Sequence, residues 1–290
     1  MHQERIVEDR VFGLEQKIPP PPPPFFPSTA FDLCSTSVEG ADVAYALQGT
    51  VNHPPLVMLH GWGASHKFWR CALSGFAPRY RCYAPDLVGF GLSEKPRRDY
   101  SLDAYVAWLE ALLDRLKLPR VTLMGHSMGA TIALLFALRR PERVEKLVLS
   151  NPVVRGDALA PKVKMMMWPG VRQMLFLLRS RPRLRRWIGM DFTSIAPLPQ
   201  DLLDDIVHPT YASAVESYRS LRQVDLAEAA KGLSVPTLAV GTDQDRLLAA
   251  DQIELLPTAR RERIVECGHV PMIERPAEFN RLVDGFLRSP

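Results

Sequence analysis

Short runs of apolar residues alternate along this chain with longer stretches in which apolar positions recur every three or four residues. Pro55-Leu-Val-Met-Leu59 is apolar throughout, the pattern of a strand covered on both faces, and Val43–Leu47, Tyr80–Pro85, Arg120–Met124, Val144–Leu149 and Pro236–Val240 read as further strands. Between them, Ser101–Leu118 sets Leu102, Tyr105, Val106, Leu109, Leu112, Leu113 and Leu116 along one helical face. Ala130–Leu138 is a strong helix former closed by Arg139, Arg140 and Pro141, and a C-terminal helix carries Phe279, Leu282, Val283, Phe286 and Leu287 on one side. Arg263–Glu266 reads as a last strand. Strands alternating with helices predict an α/β fold, a mostly parallel central sheet flanked by helices. From Val153 to Gly232 the helical pattern continues without a convincing strand, although sheet strands lie on either side. That predicts a helical insertion over the C-terminal edge of the sheet, where open α/β folds bind ligands, and it should act as a lid or cap.

The organisation expected is therefore an N-terminal extension over 1–30, a core made of 31–152 and 233–290, and a cap over 153–232. The extension carries six consecutive prolines, Pro19–Pro24, which favour an extended polyproline II strut or tether; a docking ligand for a proline-binding module is the alternative. Phe25 and Phe26 could pin its end to the body. Residues Met1–Lys17 hold four acidic and three basic side chains and no apolar core, so they do not form a secretory signal. The uncharged run Val121–Leu138 approaches a membrane span in length, but Gly125, His126, Ser127 and Gly129 near its start fit a strand, turn and helix instead.

Composition narrows the classes further. With 47% hydrophobic and 23% charged residues the chain is of ordinary globular type, and a net charge of +4 gives no argument for nucleic acid. Cys34, Cys71, Cys82 and Cys267 lack paired metal-ligand spacing and read as reduced thiols, which points to a cytoplasmic location with neither metal nor cofactor.

The chemistry centres on Gly125-His126-Ser127-Met128-Gly129, placed between a buried strand and a helix. A serine on so sharp a turn, with glycine two places to either side, is a nucleophile elbow. Side chains at the glycines would collide with the neighbouring strand and helix, and the helix N-terminus favours negative charge beside the hydroxyl. A serine hydroxyl needs an adjacent base to attack an ester at neutral pH. The candidate base is His269, on a Cys-Gly-His loop. One oxyanion donor should be the backbone N–H of Met128, directly after the nucleophile.

Taken with His60-Gly61-Trp62-Gly63, Asp86-Leu87-Val88-Gly89-Phe90-Gly91-Leu92-Ser93, and Gly268-His269-Val270-Pro271 followed by Glu274-Arg275-Pro276, the elbow makes the chain resemble the α/β-hydrolase fold family from about residue 31 to 288. The resemblance implies a Ser-His-acid triad in that family's chain order, and a second oxyanion N–H from Trp62. It places the acid after the strand Pro236–Val240, where Gly241-Thr242-Asp243-Gln244-Asp245-Arg246-Leu247 offers two carboxylates. The habitual Gly-x-x-Asp spacing lands on Gln244, as though one residue had been added, so Asp245 is favoured and Asp243 is the alternative. The other customary acid position, after Leu149, reads Ser150-Asn151-Pro152 and holds no carboxylate. Ser127 argues against dehalogenase and epoxide-hydrolase chemistry, which use an aspartate nucleophile. Ala130 departs from the Ser-Met-Gly-Gly often found in carbon–carbon hydrolases of ring-cleavage products. The expected activity is hydrolysis of carboxylic esters of apolar small molecules, with a carbon–carbon hydrolase or a receptor-like ligand binder as alternatives.

One charge feature stands apart from this scheme. Between Arg155 and Arg186 lie nine Lys or Arg residues against a single acid, Asp157, interleaved with Met165, Met166, Met167, Trp168, Met174, Leu175, Phe176, Leu177 and Leu178. Either the apolar residues roof the active site while the arginines are solvated, or the stretch is a basic amphipathic surface that meets anionic lipid or an acidic substrate.

Overall fold

The computed structural model describes residues 31–194, 197–206, 209–248 and 252–289. The expected extension over 1–30, with its proline run, Phe25 and Phe26, lies outside the described residues. The strands are β1 Asp32–Val38, β2 Ala41–Gln48, β3 Pro55–Leu59, β4 Arg81–Pro85, β5 Val121–His126, β6 Val144–Ser150, β7 Thr237–Thr242 and β8 Arg260–Ile264. The helices are α1 Arg70–Phe76, α2 Leu102–Arg115, α3 Met128–Arg139, α4 Pro161–Met166, α5 Val171–Leu178, α6 Pro182–Gly189, α7 Gln200–Asp205, α8 Tyr211–Gln223, α9 Pro271–Glu274 and α10 Pro276–Arg288.

These strands form one sheet in the order β1-β2-β4-β3-β5-β6-β7-β8. The pairs β1–β2 and β2–β4 are antiparallel and every other pair is parallel. Each apolar run thus lies inside the sheet, and the period of two along β3 sorts its residues to opposite faces. Val57 and Leu59 join the core beneath α2 and α3, whereas Leu56 and Met58 join the core that includes Phe76 of α1 and Phe279 of α10. Helix α3 is buried from Met128 to Ala137 and packs on β5, β6 and α2. An apolar helix enclosed in this way is held by burial, at about 1.5–3 kcal/mol for each large side chain.

Between β6 and β7 the described residues contain α4–α8 and no strand, only isolated bridges from Arg155 to Asp225 and from Leu159 to Leu248 beyond β7. Two edge strands differ from expectation. β1 carries Ser35, Thr36 and Ser37 and pairs with β2 at the rim, so its polar sequence hides it. β8 covers Arg260–Ile264 rather than Arg263–Glu266: the strand is exposed along most of its length and tolerates charge, while Val265 beyond its end is 58% exposed.

The crossing of β3, β5 and α3 leaves no room at the elbow glycines. A Cβ on Gly129 would stand 2.3 Å from the Leu59 carbonyl oxygen, and one on Gly125 would stand 2.4 Å from the Gly129 carbonyl oxygen. Both contacts are backbone, which no rotamer change relieves. Gly129→Ala is therefore expected to cost about 3 kcal/mol or more in urea unfolding, at the upper end for overpacking. A melting curve unchanged from wild type would refute the close approach.

Candidate active site

Ser127 sits between the C-terminal end of β5 and the first turn of α3 with φ 53°, the left-handed region that side chains rarely occupy. The strain, of order 1–3 kcal/mol, is held by bonds on both sides. Ser127 N–H donates to the Ser150 carbonyl at 2.9 Å, and the Ser127 carbonyl accepts from the Thr131 N–H at 3.0 Å. Met128 follows as the first residue of α3, so its N–H is one of the donors that helix geometry leaves without an intrahelical acceptor. The backbone of the His60–Gly63 loop lies directly against the elbow, since a Cβ on Gly61 would come within 3.1 Å of Ser127 Cβ. Ser127, Gly61, Trp62, His126 and His269 line one cavity.

His269 faces that cavity from the loop between β8 and α9, and its Nδ1–H donates to Asp245 Oδ2 at 2.6 Å. The other carboxylate oxygen of Asp245 accepts the N–H groups of Leu247 at 2.8 Å and Leu248 at 3.1 Å. Burial pushes this carboxyl up, but His269 and the two backbone donors outweigh it and hold the pKa below the ordinary aspartate value. Asp243 is placed elsewhere: its Oδ1 accepts from Cys267 N–H at 3.2 Å and it makes no contact with the imidazole. The chain thus brings Ser127 and His269 to one cavity with Asp245 hydrogen-bonded to His269, and leaves Asp243 as a clamp on the turn.

Several residues support the site, Glu274, Asp86 and His60 from within the motifs quoted above and Asn151 and His66 from outside them. Asn151, at φ 42°, donates its amide to the His269 carbonyl at 2.9 Å. Glu274 accepts from Gly268 N–H at 2.9 Å and Ser194 N–H at 2.7 Å, while His269 N–H donates to the Phe192 carbonyl at 2.9 Å. The His269 loop is consequently tied to the segment that follows α6. Asp86 accepts from the His66 N–H at 2.6 Å, from its Nδ1–H at 2.9 Å and from Leu92 N–H at 2.7 Å. His60 Nε2 accepts from Leu87 N–H at 2.9 Å, which joins the two loops beside the elbow.

His126 donates from Nε2 to the His269 carbonyl at 2.8 Å, leaving Nδ1 buried without a partner. Burial and the neighbouring His269 push its pKa down to about 3, so the ring is neutral. An unfolded histidine protonates near pH ~6.5. Between these values the unfolded chain binds a proton that the native ring refuses, so this group's contribution is intact above the unfolded pKa and falls as the pH drops. The slope approaches about 1.4 kcal/mol per pH unit. His126→Gln keeps an amide donor for the carbonyl and removes the titration. Its unfolding free energy is expected to fall less steeply than wild type between about pH 6 and pH 4; parallel curves would refute the neutral buried imidazole.

The cavity holds about 810 Å³ of empty space, part of it open to solvent. Its remaining wall is Ala64, Phe68, Leu159, Val163, Met166, Met167, Ile188, Phe192, Tyr218, Leu221, Leu247 and Leu248, with one carboxylate, Asp191, ion-paired to Lys162. No Lys or Arg lines it among the described residues. The buried Tyr218 hydroxyl has no partner there. A second, largely apolar cavity with about 640 Å³ of empty space, part of it open to solvent, adjoins it, shares Trp62, Met166, Met167 and Ile188, and has Arg172 and Arg179 in its wall. Trp62 Nε1–H is fixed to the Ala214 carbonyl at 3.0 Å, so its ring forms part of the partition.

A family model described as alpha/beta hydrolase fold matches residues 54–195. The chain is 31% identical over 255 residues to the 2-hydroxymuconate semialdehyde hydrolase of Pseudomonas sp. (strain CF600), an alignment covering 80% of this chain and 86% of that one. It is 29% identical over 255 residues to the pimeloyl-(acyl-carrier protein) methyl ester esterase of Nitrosomonas europaea, covering 80% of this chain and 95% of that one. The crystal structure of a membrane phospholipase A, a bacterial virulence factor, superposes with a TM-score of 0.76 at 29% identity, covering 89% of this chain and 86% of that one. No helix of the described residues is long and apolar enough to cross a membrane.

Proposed function

The chain belongs to the α/β-hydrolase fold family and is of a hydrolase lineage, and from that premise we propose that it is a serine hydrolase of carboxylic esters with an apolar acyl chain. Ser127 attacks the ester carbonyl while His269 takes its proton, and Asp245 holds the imidazole with Nδ1 protonated so that Nε2 is free to accept. The N–H groups of Met128 and Trp62 receive the developing oxyanion. His269 then returns the proton to the leaving alcohol, and water activated by the same imidazole releases the acid from the acyl-enzyme. The helical segment over 153–232 serves as the cap, supplying Val163, Met166, Met167 and Ile188 to the cavity wall.

The observation that carries the substrate class is the cavity's lining. Around Ser127 it is almost wholly apolar, with a carboxylate as its one charged group outside the triad, and it continues past Trp62 and the two methionines into the second cavity, whose wall adds Arg172 and Arg179. The relatives include a methyl ester esterase and a phospholipase, both of which act on esters. A carbon–carbon hydrolase using the same triad is the second reading, favoured by the 31% identity to the semialdehyde hydrolase. A muconate-derived substrate carries a carboxylate, and the cavity at Ser127 offers no cation to receive it, since Arg172 and Arg179 line only the second cavity.

Hydrolysis of p-nitrophenyl esters from acetate to palmitate tests the reading. Each methylene buried in the cavity is worth about 0.8 kcal/mol, or roughly fourfold in kcat/KM, so activity should climb with chain length beyond butyrate. Met167→Trp, which fills the passage, is expected to lower kcat/KM on the long esters by about tenfold or more and to spare acetate. Turnover of a vinylogous diketone carboxylate with none on any ester would sink the esterase.

A further inference from the structure

The proposed chemistry leaves the outer face of the helical insert unused, although the insert holds the molecule's main concentration of exposed apolar side chains. Among the described residues, Met165, Trp168, Met174, Leu177, Leu178, Trp187 and Met190 are exposed within one short stretch, whereas only Leu33, Val51, Leu92 and Val265 are exposed elsewhere. Helix α5 shows why this is not ordinary surface. Leu175 and Phe176 turn inward to line the second cavity, while Met174, Leu178 and above all Leu177, 82% exposed, face outward. A helix apolar on both faces with one face in water leaves that face to be covered.

The charge of the same stretch identifies the cover. Of its nine cations, Arg155, Lys162 and Arg185 are ion-paired, to Asp157, Asp191 and Asp204. Arg181 and Arg183 at the start of α6 and Arg186 in its last turn are exposed and form no ion pair among the described residues. We propose that α5 and α6 form a docking surface for anionic lipid bilayers, the three arginines meeting headgroups while Leu177, Met174 and Trp168 enter the boundary with the acyl chains. An acidic protein would answer the arginines alone. The outward apolar side chains between them match a headgroup layer above hydrocarbon. Because α5 also roofs the second cavity, the docked face is the one closest to the apolar interior. The association itself does not depend on turnover.

The test is cosedimentation of the full chain with vesicles of phosphatidylcholine alone, or of phosphatidylcholine and phosphatidylglycerol in equal parts, both ether-linked so that no ester is consumed. Binding is expected to the anionic vesicles and to be weak on the neutral ones. With about 1 kcal/mol per basic residue at an anionic surface, the triple variant Arg181→Gln, Arg183→Gln, Arg186→Gln should lose roughly 100-fold in partition. Leu177→Ser should lose about tenfold. These side chains are exposed, so the variants should melt with wild type, and a matched melting curve excludes misfolding. No preference for anionic vesicles would overturn the proposal. Binding that falls with the arginines but ignores Leu177→Ser would also overturn it, in favour of an acidic partner held by charge alone.

Discussion

Ser127→Ala is expected to lower kcat/KM on the best p-nitrophenyl ester by about 10⁴-fold or more while the protein folds normally, the loss typical when a triad nucleophile is removed. The oxyanion donors, the cavity and the His269–Asp245 pair are untouched by losing one hydroxyl, so ester should still bind and KM should change little. The loss falls on kcat because the acyl-enzyme no longer forms. Backbone strain gives a second, independent readout. At φ 53° an alanine is no more at ease than a serine, so Ser127→Ala should unfold at nearly the wild-type urea concentration. Ser127→Gly removes the Cβ that makes this conformation unfavourable, and it should be equally inactive yet more stable by about 1 kcal/mol. An active Ser127→Ala enzyme would end the serine mechanism. An inactive but unfolded one would leave the glycine variant to decide, since relief of strain works in the opposite direction.

What the sequence made legible follows the physics of each signal. The elbow, the buried runs of β3, β5, β6 and β7 and the helical faces are short-range patterns, enforced by sterics and by burial within a few residues, and they can be read from the chain directly. Edge strands obey weaker rules. β1 and β8 each have one face in water, so Ser35, Thr36, Arg261 and Glu262 occupy positions that an inner strand would give to valine or leucine. Other supporting residues were not legible for a different reason. Asn151 and His66 owe their places to contacts formed across long sequence separations, Asn151 to the His269 carbonyl and His66 to Asp86, and nothing around them in the chain marks them for these roles. The same holds for the outward face of α5, whose exposure is a property of packing and not of composition.

The acid-bearing loop is the place where spacing alone left two candidates, and the two carboxylates make opposite predictions. Asp245→Asn should lower kcat by about 10⁴-fold, and Asp243→Asn by less than about tenfold. The difference lies in which partner each oxygen has. Asp245 Oδ2 accepts the Nδ1 proton of His269 at 2.6 Å, which leaves Nε2 unprotonated and able to take the serine proton. An asparagine can turn its amide donor toward Nδ1, and the imidazole then carries its proton on Nε2, where it blocks proton transfer from Ser127. Asp243 accepts only from backbone, including Cys267 N–H at 3.2 Å, a bond that an asparagine carbonyl can make as well. Stability separates the two further. The Asp245 carboxyl is held below its ordinary pKa, so its contribution is present above the unfolded value of about 3.9 and is lost as the pH falls through the folded one. Asp245→Asn should accordingly unfold more easily than wild type at neutral pH and converge with it in acid. If Asp243→Asn proved the inactive variant and Asp245→Asn retained turnover, the imidazole would have to reorient toward Asp243 during catalysis, and the assignment of the acid would pass to that residue.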